Sequence, residues 1–156
     1  APTSGAMGYG VPAALAAALL YPQRTAINVA GDGDFLMTGQ ELATATGYGA
    51  GRGQGKLVSL VVDNGSYGTI RMHQEREYPG RVSGSDLFNP DFAALARAYG
   101  WHAHRVDVTE QFEPAFAAAM AAERPTLIHI KLDADVITSR TTLGAIRETA
   151  LRRADS

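Results

Sequence analysis

Cysteine is absent from all 156 residues, which excludes disulfides, thiolate metal sites and a cysteine nucleophile. Long apolar runs are also missing. The longest, Val11 to Tyr21, is too short to span a bilayer. No basic segment precedes it, so no secretory leader is visible and a cytoplasmic location is the default expectation. Positive charge is not in excess either: 14 Lys and Arg stand against 16 Asp and Glu, for a net charge of −2. Without a basic stripe there is nothing to neutralise a phosphate backbone, which argues against a nucleic-acid partner. The one dense basic pair, Arg152-Arg153, reads as a solvated helix end.

The remaining composition is that of a globular chain, with 46% hydrophobic and 19% charged residues. One domain over residues 1–156 is expected, with room for a real core. The chain opens on Ala1-Pro2-Thr3-Ser4 and enters a glycine motif almost at once, which suggests a piece of a longer polypeptide or a processed one.

Strands alternate with helices along the sequence. Helices are expected from Pro12 to Leu20, from Thr38 to about Thr46, over Gly68–Gln74, through Tyr99 after a cap at Asn89-Pro90, from Thr109 or Glu110 to Ala122, and over Thr142–Arg153. Thr38 and Glu41 have the spacing of a capping box. Strands are expected over Thr25–Ala30, Leu57–Val62, His102–Val106 and Thr126–Leu132. The glycine-dense stretch 47–56 reads as a loop. This alternation predicts an α/β fold, a mainly parallel sheet with helices on both faces. In such sheets ligands bind beyond the carboxyl ends of the strands.

Two polar clusters fall just there. The apolar strand ending at Ala30 runs into Gly31-Asp32-Gly33-Asp34, and the next strand runs into Asp63-Asn64-Gly65-Ser66. A carboxylate, an amide and nearby carbonyls are hard oxygen ligands, suited to Mg²⁺ or Ca²⁺ and not to zinc. Mg²⁺ usually bridges a few protein oxygens to phosphate oxygens, and helix N-termini near Thr38 and Ser66 would seat a diphosphate. Either cluster alone also reads as an ordinary turn.

Three stretches in order, "GAMGYGVPAALAA", "GDGDFLMTGQELATA" and "DNGSYGTIRMHQE", together resemble the thiamine-diphosphate-dependent enzymes. The likeness is to the cofactor-binding C-terminal domain of the acetolactate-synthase-like members and extends over nearly the whole chain. It implies a three-layer, Rossmann-like fold and two cofactors, thiamine diphosphate and Mg²⁺. By the same resemblance Asp32, Asn64 and the Ser66 carbonyl would ligate the metal. Gly31 shares the Asp32 turn, and the amides of Gly33, Asp34, Tyr67 and Gly68 would hold the diphosphate. The Gly5 carbonyl would meet the aminopyrimidine, and Met7 would wedge beneath the cofactor; Met7 also reads as plain core. The implied chemistry is that of a 2-oxo acid decarboxylase or carboligase, a lyase or transferase. The implied partners are a 2-oxo acid, a pyrimidine-binding domain in cis or in trans, and further copies in a homo-oligomer.

Departures from the family pattern are visible. Asp63 stands where the family usually has a second Asn, and is left out of the metal set. Asp32 and Asn64 lie further apart than usual, with the surplus in the glycine-dense loop. The family's activating glutamate comes from a separate domain absent here, as are a first strand and helix. The nearby acids are Glu41, Glu75 and Glu77, and Glu41 is better explained as a cap, so the isolated chain is expected to bind cofactor weakly and turn over little or nothing. An apolar patch is expected where the absent half docks, with the Ala-rich helix as its candidate.

Other readings were weighed on the residues. A non-catalytic cofactor-binding module stands as an alternative. A Rossmann site at Gly8-Tyr9-Gly10-Val11-Pro12-Ala13 lacks its preceding strand and its acid, a P-loop at Gly55-Lys56 lacks its hydroxyl, and an EF-hand from Asp32 would end on Ala43. His102 and His104 read as a strand face and His129 as a satisfied core residue. His73, Tyr67 and Met37 read as pocket candidates or as packing.

Overall fold

A computed structural model describes residues 4–50 and 56–154. In chain order the elements are α1 (Gly10–Leu20), β1 (Thr25–Gly31), α2 (Asp32–Thr38), α3 (Glu41–Gly47), β2 (Lys56–Asp63), α4 (Gly68–Glu77) and α5 (Phe92–Ala98). There follow β3 (His102–Val106), a 3-10 turn (Thr109–Gln111), α6 (Phe112–Ala121), β4 (Thr126–Lys131), β5 (Val136–Thr138), β6 (Thr141–Thr142) and α7 (Leu143–Ala154). Two compact units make up the chain: Ala1–Asp63 with Asn89–Lys131, and Asn64–Phe88 with Leu132–Ser156.

The first unit is built on a four-stranded parallel sheet in the order β1-β2-β4-β3. The two central strands, β2 and β4, are apolar on both sides because both sides are covered, and the period-2 alternation divides their residues between two cores. Leu57, Val61 and Leu127 join Val11, Leu15, Ala18, Phe35, Leu42 and Phe92 on one face. Val58 and Ile128 join Val106, Ala115 and Ala119 of α6 on the other. The expected α/β architecture with helices on both faces is what the structure has. Trp101 is buried in the first core and donates its indole N–H to the Leu42 carbonyl at 3.2 Å.

α1 lies so close to β1 that a Cβ on Gly10 would sit 2.3 Å from Asn28 Oδ1, while Asn28 Nδ2 donates to Ser59 Oγ at 3.0 Å. The glycine that gave a dinucleotide-like pattern therefore serves close helix–strand packing. Val11, Ala14, Leu15 and Ala18 of α1 are buried, while Leu20 at its end is exposed and Ala13 and Ala17 line a groove beside β1. β1 is an edge strand of the described sheet, and Val29 is 64% exposed with Ile27 also open. A groove of about 430 Å³ follows this edge, lined by Ala6, Tyr9, Ala13, Ala17, Ile27 and Val29 among others.

The second unit pairs α4 with α7. Glu75, fully buried, binds Arg147 through two hydrogen bonds, one of them from Nε at 2.8 Å, and also accepts the Gly80 amide at 2.9 Å. The Arg147 guanidinium and the Gly80 N–H outweigh burial and hold the Glu75 carboxyl at about 2. Arg71 braces the loop after α4 through Ser85 Oγ at 2.7 Å and an ion pair with Asp86.

Four sequence expectations need correction. The turn after β1 is not a loop before a helix at Thr38; Asp32–Thr38 is itself helical, and α3 begins at Glu41. Thr38 and Glu41 form no capping box, since α3 has Gln40 at its N-cap and no side-chain cap. α5 is capped by Asp91, whose carboxylate accepts the Ala94 amide at 3.0 Å, which frees Asn89 for other work. The tail holds a short antiparallel pair, β5 with β6, before its helix. Of the expected loop 47–56, α3 claims Gly47 and β2 claims Lys56, while residues 51–55 lie outside those described. No helix among the described residues is long and apolar enough to cross a membrane.

Candidate functional site

Gly31 ends β1 in an extended conformation (φ −68°, ψ 161°) and serves as the N-cap of α2. Asp32, Gly33 and Asp34 thus form the first helical turn, where N–H groups lack intrahelical acceptors and acidic side chains are favoured by the helix dipole. That is why two carboxylates interrupt an apolar run here. They part company at once. Asp32 is buried, 3% exposed; its Oδ1 accepts the Gly33 amide at 3.0 Å and its Oδ2 accepts Asn89 Nδ2 at 2.7 Å. Asp34 reaches back to the segment before α1 and accepts the Gly8 N–H.

Thr38 completes that link, its hydroxyl donating to the Gly8 carbonyl at 2.9 Å. The Gly8 peptide is thereby held from both sides, next to Gly5 (φ +63°) and to Met7, which is 43% exposed and so is not core. Gly8 itself has φ +84°, and a Cβ there would lie 3.1 Å from Met37 Cβ and 3.2 Å from Thr38 Cγ2. Gly8→Ala should therefore lower stability by about 1–2 kcal/mol, read from the denaturant midpoint. A midpoint at the wild-type value would show that the positive φ is not required.

Register brings a second group to the same end of the sheet. Gly31 pairs with Val62, and Asp63 pairs with Lys131, so Asp63, His129 and Lys131 stand beyond or beside the tip of β1. Asp63 is 1% exposed. Its Oδ2 receives His129 Nε2 at 2.7 Å and Lys131 Nζ at 2.8 Å, and its Oδ1 receives Asn89 Nδ2 at 2.8 Å. Burial alone would raise the Asp63 pKa; the donors Lys131, His129 and Asn89 outweigh it and hold the carboxyl at about 2. The residue left out of the metal set is thus a hydrogen-bonded anchor.

His129 is only half satisfied. Phe92 packs edge-on against its ring at 5.1 Å, while its Nδ1 has no hydrogen bond and lies 3.7 Å from Asp91 Oδ1. Among the described residues no three His, Asp or Glu side chains converge as a metal-ligand set, so His102 and His104 gather no further ligand. A cation site among the described residues therefore has to draw in part on amide or backbone oxygens.

In the second unit Asn64 Oδ1 accepts the Ser66 amide at 3.0 Å, closing a tight turn through Gly65 at φ +69°. The Tyr67 and Gly68 amides donate to Ser85 O and Ser66 O, both at 2.9 Å. Gly68 allows a close approach, since a Cβ there would lie 2.9 Å from Asn64 Nδ2. His73 on α4 is exposed, and Glu75 is committed to Arg147. Asp32 offers a buried carboxylate in the first unit, and Asn64 and Ser66 offer an amide oxygen and a backbone carbonyl in the second; each by its chemistry is a hard oxygen donor of the kind that suits Mg²⁺ or Ca²⁺.

Sequence reasoning passed over Asn89, read only as a helix cap, and Lys131. The available signal was the i, i+2 spacing of His129 and Lys131, which puts both on one side of β4 with Asp63 opposite.

The family described as "Thiamine pyrophosphate enzyme, C-terminal TPP binding domain" matches residues 1–130. The chain is 38% identical over 128 residues to the acetolactate synthase large subunit of Parasynechococcus marenigrum, covering 81% of this chain and 20% of that protein. It is 34% identical over 129 residues to the benzoylformate decarboxylase of Pseudomonas aeruginosa, covering 83% and 24%. With the pyruvate oxidase of Lactiplantibacillus plantarum it shares 36% identity over 131 residues, covering 83% and 21%. The chain thus spans about a fifth to a quarter of the length of these relatives.

Proposed function

This chain belongs to the thiamine pyrophosphate enzymes, as their C-terminal TPP binding domain, and from that premise we propose that it holds Mg²⁺ and thiamine diphosphate for a 2-oxo acid decarboxylase or carboligase. When bound, the cofactor supplies a ring that takes up the electron pair released as a 2-oxo acid loses carbon dioxide. Asp32, Asn64 and the Ser66 carbonyl would hold the cation. The Gly33 and Asp34 amides lie at the open turn of α2, and those of Tyr67 and Gly68 would exchange their present acceptors for phosphate oxygens. The Gly5 carbonyl and exposed Met7, on the segment pinned by Asp34 and Thr38, would meet the organic part of the cofactor. The observation that carries this reading is the buried Asp32 carboxylate, placed by Gly31 in the first turn of a helix at the carboxyl end of a parallel strand.

Turnover is assigned to a larger assembly. The ion pair of Glu75 with Arg147 supports this reading, since it speaks against Glu75 serving as an activating acid, and the edge of β1 with its groove would offer a place for further structure, in cis or from a partner chain. The open edge also suits association with further copies. Titration calorimetry of the full chain tests the reading: thiamine diphosphate should give heat only with Mg²⁺ present, and 2-oxo acid consumption should stay near background until a pyrimidine-binding domain is added. Absence of binding at millimolar cofactor, or binding of a nicotinamide dinucleotide in its place, would overturn it. Full turnover by the chain alone would refute the division of labour.

A further inference from the structure

The amide of Asn89 is used in an unusual way. Its nitrogen stands 2.7 Å from Asp32 Oδ2 and 2.8 Å from Asp63 Oδ1, so one NH₂ group serves two carboxylates. Carboxylates only accept, which fixes the amide with its nitrogen toward them. The opposite end is left in deficit: Asn89 Oδ1 is buried and has no hydrogen-bond partner. An orphaned buried acceptor is costly, and the structure tolerates it to keep both N–H bonds.

Asp63 is a firm base for such a link. Its other oxygen is held by His129 and Lys131 from the neighbouring strand β4, and Phe92 braces the His129 ring. Asp32 is held at its far oxygen by the Gly33 amide. A continuous rigid path therefore runs from β4 through Asp63 and Asn89 to Asp32, and it uses no part of the assigned ligand set except Asp32.

We infer that Asn89 is a positioning residue whose amide nitrogen ties Asp32 to Asp63 and so fixes the orientation in which the Asp32 carboxylate meets a divalent cation. This rests on the cation site proposed above. Partners that orient a ligating carboxylate typically account for 10–100-fold in metal affinity. Asn89→Ala in the full chain should therefore weaken Mn²⁺ binding by about 10–100-fold, measured by paramagnetic resonance with Mn²⁺ alone as the probe. Asp63→Asn should act in the same direction, and the double variant should be no weaker than Asn89→Ala, because both break one path.

Nitrogen-15 spectra of the metal-free chain give a signature that packing alone would not. The Asn89 side-chain NH₂ signals are identified by their loss in Asn89→Ala; Asp32→Asn should shift one of the two protons and Asp63→Asn the other. The inference is overturned if Mn²⁺ binds, is lost in Asp32→Asn, and yet binds Asn89→Ala with wild-type affinity, or if the amide signals ignore both carboxylate variants. If the unsubstituted chain takes up no Mn²⁺, or Asp32→Asn binds it equally well, the cation reading itself falls and takes this inference with it. That failure is recognised by amide signals that still answer to both carboxylates.

Discussion

Asp32→Asn should lower the affinity for Mg²⁺ with thiamine diphosphate by more than about 100-fold, beyond the range seen for residues that only orient a ligand. The substitution keeps the shape of the side chain and removes its charge. In the proposed set, where Asp32 would stand beside neutral oxygens, that charge would be the main attraction for a hard cation. Stability should respond quite differently. Asp32 sits in the first turn of a helix and shares a donor with Asp63, so the neutral amide disturbs about one buried hydrogen bond. The unfolding free energy without cation should change by no more than about 2 kcal/mol. Calorimetry and denaturant melts on the same protein check the split. Wild-type affinity in Asp32→Asn, or loss of affinity only through unfolding, would remove Asp32 from the site.

The second large effect belongs to the pair that joins α4 to α7. Arg147→Ala leaves a fully buried glutamate without its cation, and breaking a buried pair in this way costs about 3–5 kcal/mol. The pair also sets an acid limit. The Glu75 carboxyl is depressed from 4.5 to about 2. A depressed carboxylate contributes stability that is complete above its unfolded value and is lost as pH falls through the folded one. The contribution is therefore present above about pH 4.5 and disappears toward pH 2. Urea melts from pH 6 to pH 2 should show a steeper fall for wild type than for Arg147→Ala. Parallel curves would mean that Glu75 titrates normally.

How much of this was legible in the sequence depends on whether a feature is local. The sheet and its flanking helices follow from apolar runs of strand length separated by helix formers, and the four main strands lie within a residue or two of expectation. The Asp32 turn was legible because charge at the tip of an apolar strand is conspicuous. Caps were not: Thr38 and Asn89 carry sequence patterns suited to local bonds, but both serve partners far along the chain, Gly8 for one and Asp32 with Asp63 for the other. A spacing rule sees neighbours within four residues and cannot weigh a competing acceptor brought in by the fold. Asp63 was noticed as a departure, while its donors on β4 became evident only once strand register set them opposite.

The single tryptophan has a practical consequence. Trp101 is enclosed in one core of the sheet unit and hydrogen-bonded through its indole, and the unit holding α4 and α7 contains none. Emission excited at the red edge therefore reports on one half of the molecule alone, a built-in optical label. Set beside far-ultraviolet ellipticity, which sums every helix, it lets the melting of the two halves be followed separately without attaching a dye.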